Sequence, residues 1–351
     1  MPTEPSLTPS ESLPLAQESD VDNYVARIAR IAQEYEFGSF SVGTHLRMDL
    51  PPEQALEVRR DLNARVTRAV CRVFPGRAVS PDDPDMAFLL HYPGRWVKSI
   101  PTPVFVYGRY CKYTRDLPQA RWLCLSCGGR GCERCGGTGR IRVNSVEEII
   151  AMPLLEAMRA EASKMHATGR QDIDVRMLGT GRPFAIELVN ARRRTADLDA
   201  VRSSINEQGT VAVGPLSFVG REIVRAVDTA RADKTYRAIV RAVRPIDPAE
   251  LDGLSKLKTL IDQQTPRRVA GRRADLVRRR SVKELTAKAL DDARVFEMVI
   301  RTETGTYIKE LISGDEGRTR PSVAEVLQTP CVCDELDVLA VHFDPFSGDS
   351  A

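Results

Sequence analysis

Apolar residues recur at helical spacing from Asp20 onward: Val21, Tyr24, Val25, Ile28, Ile31 and Tyr35 fall on one face, and Glu53–Phe74 repeats the pattern with Leu56, Val58, Leu62, Val66, Val70 and Val73. Two helices are expected there. Between and after them, Phe40–Leu50, Met86–Tyr92 and Val104–Tyr107 read as strands, so this half is expected to be a small α+β module. Residues 1–19, rich in Pro, Ser and Glu, read as a disordered tail.

A second pattern begins at Ser145. Ser145–Lys164 reads as a helix capped by Ser145, with Glu147 and Glu148 in the first turn, where the helix dipole favours acids. Beyond it, Ile173–Leu178, Phe184–Asn190, Val211–Phe218, Tyr236–Val243, Phe296–Arg301 and Glu335–His342 alternate as strands do, with helices at Asp197–Glu207, Pro248–Leu260 and Ser322–Leu327. The expected fold class is α+β: an accessory module over 20–144 and a second domain over 145–345 built on a mixed, largely antiparallel sheet.

The boundary between the two carries a cysteine cluster. Cys124-x-x-Cys127 and Cys132-x-x-Cys135 lie within the glycine-rich stretch 124–140, and that spacing can fold four thiolates around one tetrahedral ion. One structural zinc is expected, with no open position for chemistry; a redox motif would be a single pair. Cys71 reads as core, while Cys111, Cys331 and Cys333 have no partner set that suggests a metal. No window of this 351-residue chain is apolar for long enough to span a bilayer, and the N-terminal stretch lacks the basic and apolar blocks of an export signal. The expected setting is the cytosol, with no membrane partner and thiols kept reduced.

A net charge of +3 does not by itself announce a nucleic-acid binder. Its distribution does more. Between Gln263 and Arg280 stand seven arginines and one acid, Asp275, and Arg192–Arg194 makes a second cluster. Such a run can be a solvated helix face, but it also suits phosphate neutralisation. Pro266 and Gly271 interrupt any helix, so the segment carrying Arg267, Arg268, Arg272 and Arg273 is expected to be a mobile loop closing over nucleic acid, its arginines lacking internal partners. Tyr107, Tyr110, Tyr113 and Trp122 would suit base stacking, although aromatics at that spacing more often form core.

Three further patches stand out: Gly169-Arg170-Gln171-Asp172-Ile173-Asp174-Val175-Arg176, Lys234-Thr235-Tyr236-Arg237, and Gly305-Thr306-Tyr307-Ile308-Lys309-Glu310. Taken alone, the first reads more readily as a salt-bridged surface loop. Together with their surroundings, however, GRQDIDVRMLGTGRPF at Gly169–Phe184, QQTPRRVAGRRAD at Gln263–Asp275 and TETGTYIKELISGDEGRTRPS at Thr302–Ser322 resemble the catalytic domain of the archaeal and eukaryotic tRNA pseudouridine synthase family of the Pus-ten class. VYGRYCKYTRDLPQARW at Val106–Trp122, followed by the four cysteines, is similar to that family's accessory domain, which carries a THUMP-related RNA-binding fold. Some relatives have a further cysteine pair near the N-terminus; Met1–Val70 has none.

The resemblance implies an isomerase that converts uridine to pseudouridine in the T-arm loop of tRNA, at uridine 55 and in archaea often at uridine 54 as well, with tRNA as partner and without an organic or nucleotide cofactor. It assigns Asp172 as the reacting carboxylate, either nucleophile at C1′ or base at C2′. Lys309 would pair with that Asp, Tyr236 would stack on the target base and help move a proton, and Ile308 and Leu336 would line the pocket. Arg170, beside the Asp, and the arginines of Gln263–Arg280 would hold the RNA, and the chain is expected to act as a monomer. An RNA methyltransferase or thiolation enzyme is the competing reading, but Gly179-Thr-Gly181-Arg-Pro-Phe lacks the third glycine of a dinucleotide loop and no phosphate-cradling GxxxxGK[ST] occurs. A zinc-stapled RNA-binding protein would explain the basic segments and the cysteines, but would not require the GRQD, KTYR and TYIKE patches together.

Overall fold

Apolar periodicity in the N-terminal part is realised in a computed structural model that describes residues 16–142, 144–170, 172–272 and 274–347, the side chain of Arg272 excepted. The chain divides into two compact units: one runs to Val104 and includes Leu155–Ala162 and Leu188–Ala196, and the other comprises the remainder.

The smaller unit holds α1 (Glu18–Ala32), β1 (Ser39–Leu46), α2 (Pro52–Val73), β2 (Ala78–Val79), β3 (Met86–Tyr92) and β4 (Trp96–Pro101). Its sheet is ordered β2-β1-β3-β4, with β1 parallel to β2 and β3, and β3 antiparallel to β4. The helical stripes Val21, Tyr24, Ile28 and Val58, Leu62, Val66, Val70 pack on Phe40, Met86, Phe88 and Leu90. Each such fully buried aliphatic or aromatic side chain contributes roughly 1.5–3 kcal/mol. The opposite sheet face carries His45, His91 and Trp96 in register. Helix α1 starts at Glu18 and Ala16 is buried, so order begins before the expected end of the tail; residues 1–15 of that expectation lie outside the described residues. Two arginines of the Arg192–Arg194 cluster are paired, Arg192 with Glu34 at 3.0 Å and Arg194 with Asp85 at 2.9 Å.

The chain continues through β5 (Val104–Lys112), α3 (Val146–Met158), β6 (Ala162–Ala167), β7 (Arg176–Val189), α4 (Leu198–Asn206), β8 (Val211–Val213), β9 (Ser217–Val219), α5 (Arg221–Thr229), β10 (Asp233–Ala242) and α6 (Pro248–Leu251). Then come β11 (Leu260–Gln264), a 3-10 turn at Arg267–Arg272, β12 (Val277–Ala289), β13 (Val295–Thr302), α7 (Ile308–Ser313), β14 (Thr319–Arg320), α8 (Val323–Val326) and β15 (Cys331–His342). Among the described residues these strands form an 11-stranded sheet ordered β14-β11-β12-β13-β10-β15-β7-β5-β8, with β6 on β7 and β9 on β5. β15 and β7 are parallel; the pairs from β14 to β15 and those of β5 with β8 and β9 are antiparallel. This is the mixed, largely antiparallel sheet expected, and among the described residues no helix is long and apolar enough to cross a membrane.

Three readings need correction. The structural division falls at Val104/Phe105, not at 144/145, because β5 hydrogen-bonds into the large sheet and takes the cysteine segment with it. The helix from Ser145 ends at Met158: Arg159 takes φ +48° and β6 follows where helix was expected to Lys164. The arginine segment is no loop throughout; it is the β11–β12 hairpin, with Arg278, Arg279 and Arg280 on β12. Its arginines find acids from other elements, Arg267 with Glu316 at 2.5 Å, Arg279 with Asp262 at 3.2 Å and Arg280 with Glu303 at 3.6 Å.

One buried acid ties the sheet together. Asp337 on β15, its side chain 1% exposed, takes a two-point bond from Arg176 on β7 at 2.9 and 2.7 Å, and lies 3.0 Å from Arg115 and 3.5 Å from Arg237 on β10. Burial alone would raise its pKa, but the bond from Arg176 and the charges of Arg115 and Arg176 outweigh it and hold the carboxyl below its ordinary value. A carboxyl lowered by folding stabilises above its unfolded pKa, about 3.9, and loses that contribution as pH falls through the folded value. Asp337→Asn is expected to cost about 3–5 kcal/mol at neutral pH. In urea unfolding, the gap to the parent should shrink below about pH 4; a gap independent of pH would show that the loss is not ionic.

Candidate active site and metal centre

The described residues from Thr168 to Asp174 have left β6 and not yet entered β7, so their carbonyls have no ladder partners and must find donors elsewhere. Buried cations supply them. Arg182, 1% exposed, donates through one guanidinium nitrogen to the carbonyls of Thr168 at 2.7 Å and Gly169 at 2.9 Å. Lys112, also 1% exposed, donates to Ile173 at 2.8 Å and Leu117 at 3.0 Å, and Arg115 donates to Asp174 at 2.8 Å. Gly169 turns the chain at φ +73°, and a Cβ there would come within 3.2 Å of the Lys234 ammonium.

These cations alter one another. Lys234 is 7% exposed with no hydrogen-bond or ion-pair partner among the described residues; burial, helped by the charge of Arg182, brings its pKa down to about 7. Burial likewise brings Lys112 down to about 8, with Asp174 acting in the opposite direction. Tyr236, in β10 two residues from Lys234 and on the same face, is pushed up to about 12 by burial, opposed by Arg182 and assisted by the charge of Asp172. Tyr236 and Asp172 therefore share one electrostatic environment, and the phenol keeps its proton at neutral pH.

Asp172 stands exposed at the rim of this assembly, its carboxylate 3.1 Å from Arg268. Arg268 bonds at the same time to Glu310 at 2.6 Å, and its guanidinium carbon lies 5.9 Å from the centre of the Tyr307 ring. Lys309, expected to pair with Asp172, bonds Asp174 instead at 2.6 Å. Against the opposing effect of burial, that bond holds the Asp174 carboxyl below its ordinary range. Ile308 and Leu336 are buried, and Arg170 is exposed without a partner among the described residues. Arg273 lies outside the described residues, and of Arg272 only the backbone turn is described.

Lys112, Arg115, Arg182 and the Arg268–Asp172 pair were not anticipated. Arg182 lay within a quoted motif without a role. Lys112 could have been found by alternation: it follows Val104, Val106 and Tyr110 at even spacing, which aims its side chain inward. Tyr107 and Tyr110 are core, whereas Tyr113 and Trp122 are exposed.

The four cysteines converge. Cys124 and Cys132 Sγ atoms are 3.8 Å apart, Cys127 and Cys135 4.0 Å, and Cys132 and Cys135 3.7 Å. All four lie within 4.8 Å of one another and could hold a metal ion. A tetrahedron with metal–sulfur bonds of ~2.3 Å has sulfur–sulfur edges of about 3.8 Å, so the donor set fits without rearrangement. The amides of Cys132 and Gly139 donate to Cys135 Sγ, each at 3.2 Å, favouring the thiolate. A Cβ at Gly139 would fall 2.2 Å from the carbonyl oxygen of Gly129, so the return of the chain requires glycine.

The family described as "Pus10, C-terminal" matches residues 105–342. A protein of Methanothrix thermoacetophila named tRNA pseudouridine synthase Pus10 is 43% identical over 287 residues, which span 81% of this chain and 63% of that protein. One of the same name from Archaeoglobus fulgidus is 40% identical over 331 residues, 92% of each chain. The chain thus spans just under two thirds of the first relative and nearly all of the second. Among solved structures, a crystal structure titled as a Cbf5-Nop10-Gar1 complex overlaps 56% of this chain and 45% of the other at 18% identity, with a TM-score of 0.36, an overlap too slight to bear on the function of this chain.

The cysteine geometry makes a direct prediction. Protein purified under reducing conditions should contain one thiolate-bound metal ion per chain by elemental analysis. Cys127→Ser should lower that stoichiometry and loosen the segment around 124–140 toward protease, since binding energy at such sites is folding energy. A metal-free yet protease-resistant protein would refute it.

Proposed function

The chain belongs to the Pus10 family of tRNA pseudouridine synthases, and from that premise we propose that its larger unit isomerises uridine in the T-arm loop of tRNA, at position 55 and also at 54, with Asp172 as the reacting carboxylate. The observation that carries this reading is the position of Asp172: an exposed carboxylate on a loop held by buried cations, its charge felt by the half-buried phenol of Tyr236. The reaction breaks the bond between N1 and C1′, turns the freed uracil, joins C5 to C1′, and moves the C5 proton away while N1 gains one; it needs no oxidant or cofactor. Asp172 can attack C1′ or take the C2′ proton, and its carboxylate is held 3.1 Å from Arg268.

Tyr236 is the flat partner for the base and, holding its proton at neutral pH, acts as donor rather than acceptor. Ile308 and Leu336 keep water from the detached base, while Arg170 and the hairpin arginines hold flanking phosphates as the uridine is turned out of its stack. The metal at the four cysteines is zinc in a structural role. The enzyme works as a cytosolic monomer on tRNA.

Two outcomes test this. Asp172→Asn should abolish pseudouridine formation on unmodified tRNA transcripts while leaving tRNA affinity and thermal stability near the parent's; turnover above a few per cent would remove Asp172 from the mechanism. Replacing Arg267 and Arg268 together by Ala should weaken tRNA binding and flatten its log–log salt dependence by about one to two units, since each lost phosphate contact removes about 0.7–0.9. An unchanged slope with full turnover would return the hairpin tip to an ordinary charged surface.

A further inference from the structure

The isomerisation proposed for the Asp172 site leaves one proton without an acceptor. Once C5 is joined to C1′, that carbon still carries its hydrogen, and a base must take it so that the bonding pair returns to the ring. The amines and the phenol around the loop are nearly all committed. Lys112 donates to two carbonyls, Lys309 donates to Asp174, and Tyr236 keeps its phenolic proton at neutral pH. Arginine does not give up its proton in a protein. Asp172, freed as C1′ is rejoined, is a competing acceptor, but a carboxylate is a far weaker base than an amine. Lys234 remains, buried and without a hydrogen-bond or ion-pair partner among the described residues.

Its position suits that step. Lys234 lies two residues before Tyr236 on one face of β10, about 7 Å along the strand, a span that its four-carbon stem can cover. On the other side it meets the loop: a Cβ at Gly169, three residues ahead of Asp172, would stand 3.2 Å from the Lys234 Nζ. The amine is thus set between the strand that carries the stacking ring and the loop that carries the carboxylate. Opposite it in register are Thr302 on β13 and Val341 on β15, both uncharged. The Thr302 hydroxyl and the Arg182 Nε are themselves buried without partners, so polar bonding capacity is left unused on this side of the loop. Arg182, from β7, is the charge that acts on the amine; burial first, and that charge second, bring its pKa down to about 7. A base is most effective when its pKa lies near the working pH.

We propose that Lys234 is the base that removes the C5 proton: its neutral amine takes the hydrogen after the C5–C1′ bond has formed, and the C–H bonding pair returns to the ring. The ammonium then passes its proton to water. N1 receives its own proton from the Tyr236 phenol, which recovers one from water, so the atoms balance without a co-reactant. This assignment rests on the reading of Asp172 as the reacting carboxylate. A lysine kept to anchor phosphate would gain from full charge and exposure, whereas Lys234 is 7% exposed and partly discharged by its surroundings.

The C5 hydrogen can be followed directly. Transcripts of tRNA carrying [5-³H]uridine release tritium to water as that proton leaves, and the parent should release it at a rate that rises through about pH 7 as the amine loses its proton. Lys234→Met keeps the length of the side chain and removes a buried unpaired charge, so its melting temperature should match or exceed the parent's. It should release tritium roughly 100-fold more slowly or worse, lose the rise near pH 7, and turn over more slowly still when C5 carries deuterium. Lys234→Arg, charged at every pH, should not restore the rate. Tritium release at the parental rate in Lys234→Met would give the proton to Asp172 or water and overturn the proposal. Slowed release with the pH profile kept and no isotope effect would make the lysine structural, and restoration by Lys234→Arg would make it an anchor. A parent rate indifferent to pH around 7 would overturn it even if no variant folded. A parent that makes no pseudouridine at all would instead refute the reading of the Asp172 site.

Discussion

The candidate site depends on the need to satisfy backbone carbonyls where the chain runs irregularly between two strands. Thr168 to Asp174 cannot use a ladder, and in place of neutral partners the protein sets Arg182, Lys112 and Arg115 against it. A cationic donor bonds a carbonyl more strongly than a neutral one and leaves its charge in place. The same side chains that fix the loop thereby place positive charge beneath it; burial, assisted by the charge of Arg182, lowers the proton affinity of Lys234 there.

The two acids of the loop take different partners. Asp174 is engaged by Lys309 at the start of α7, which fastens the loop to that helix, whereas Asp172 meets Arg268 from a hairpin tip that also reaches Glu310. A flexible arginine shared between two acids is easier to displace than one committed to a single acid, so Asp172 is the more loosely held of the two. Glu310 has one carboxylate oxygen buried without a partner, so its hydrogen-bonding capacity is not fully used in this arrangement.

Much of this was legible in the sequence, and what was not has a common reason. Helical stripes such as Val58, Leu62, Val66 and Val70, and the spacing of the four cysteines, are local patterns that report on themselves. Which acid Lys309 would meet is not local: Asp172 and Asp174 are two residues apart, and only the path of the chain decides between them. Arg182 and Lys112 escaped notice because charged residues are rarely fully buried, so a charge is by default assigned to the surface. The same default hid β12, where Arg278, Arg279 and Arg280 occupy a strand, and moved the domain boundary past β5, whose partners lie far along the chain.

The order of strands also sets a timetable. β15, formed by Cys331–His342, lies between β10 and β7, so the middle of the large sheet is filled by the most C-terminal of its described strands. Until those residues leave the ribosome, β7 and β10 present open edges to each other across a gap, and no earlier segment can close it. Sheets that wait on distant strands fold slowly and expose aggregation-prone edges meanwhile. The smaller unit's four-stranded sheet, complete once Pro101 has been made, has no such wait. A nascent chain would thus carry a finished small sheet while its larger sheet is still open.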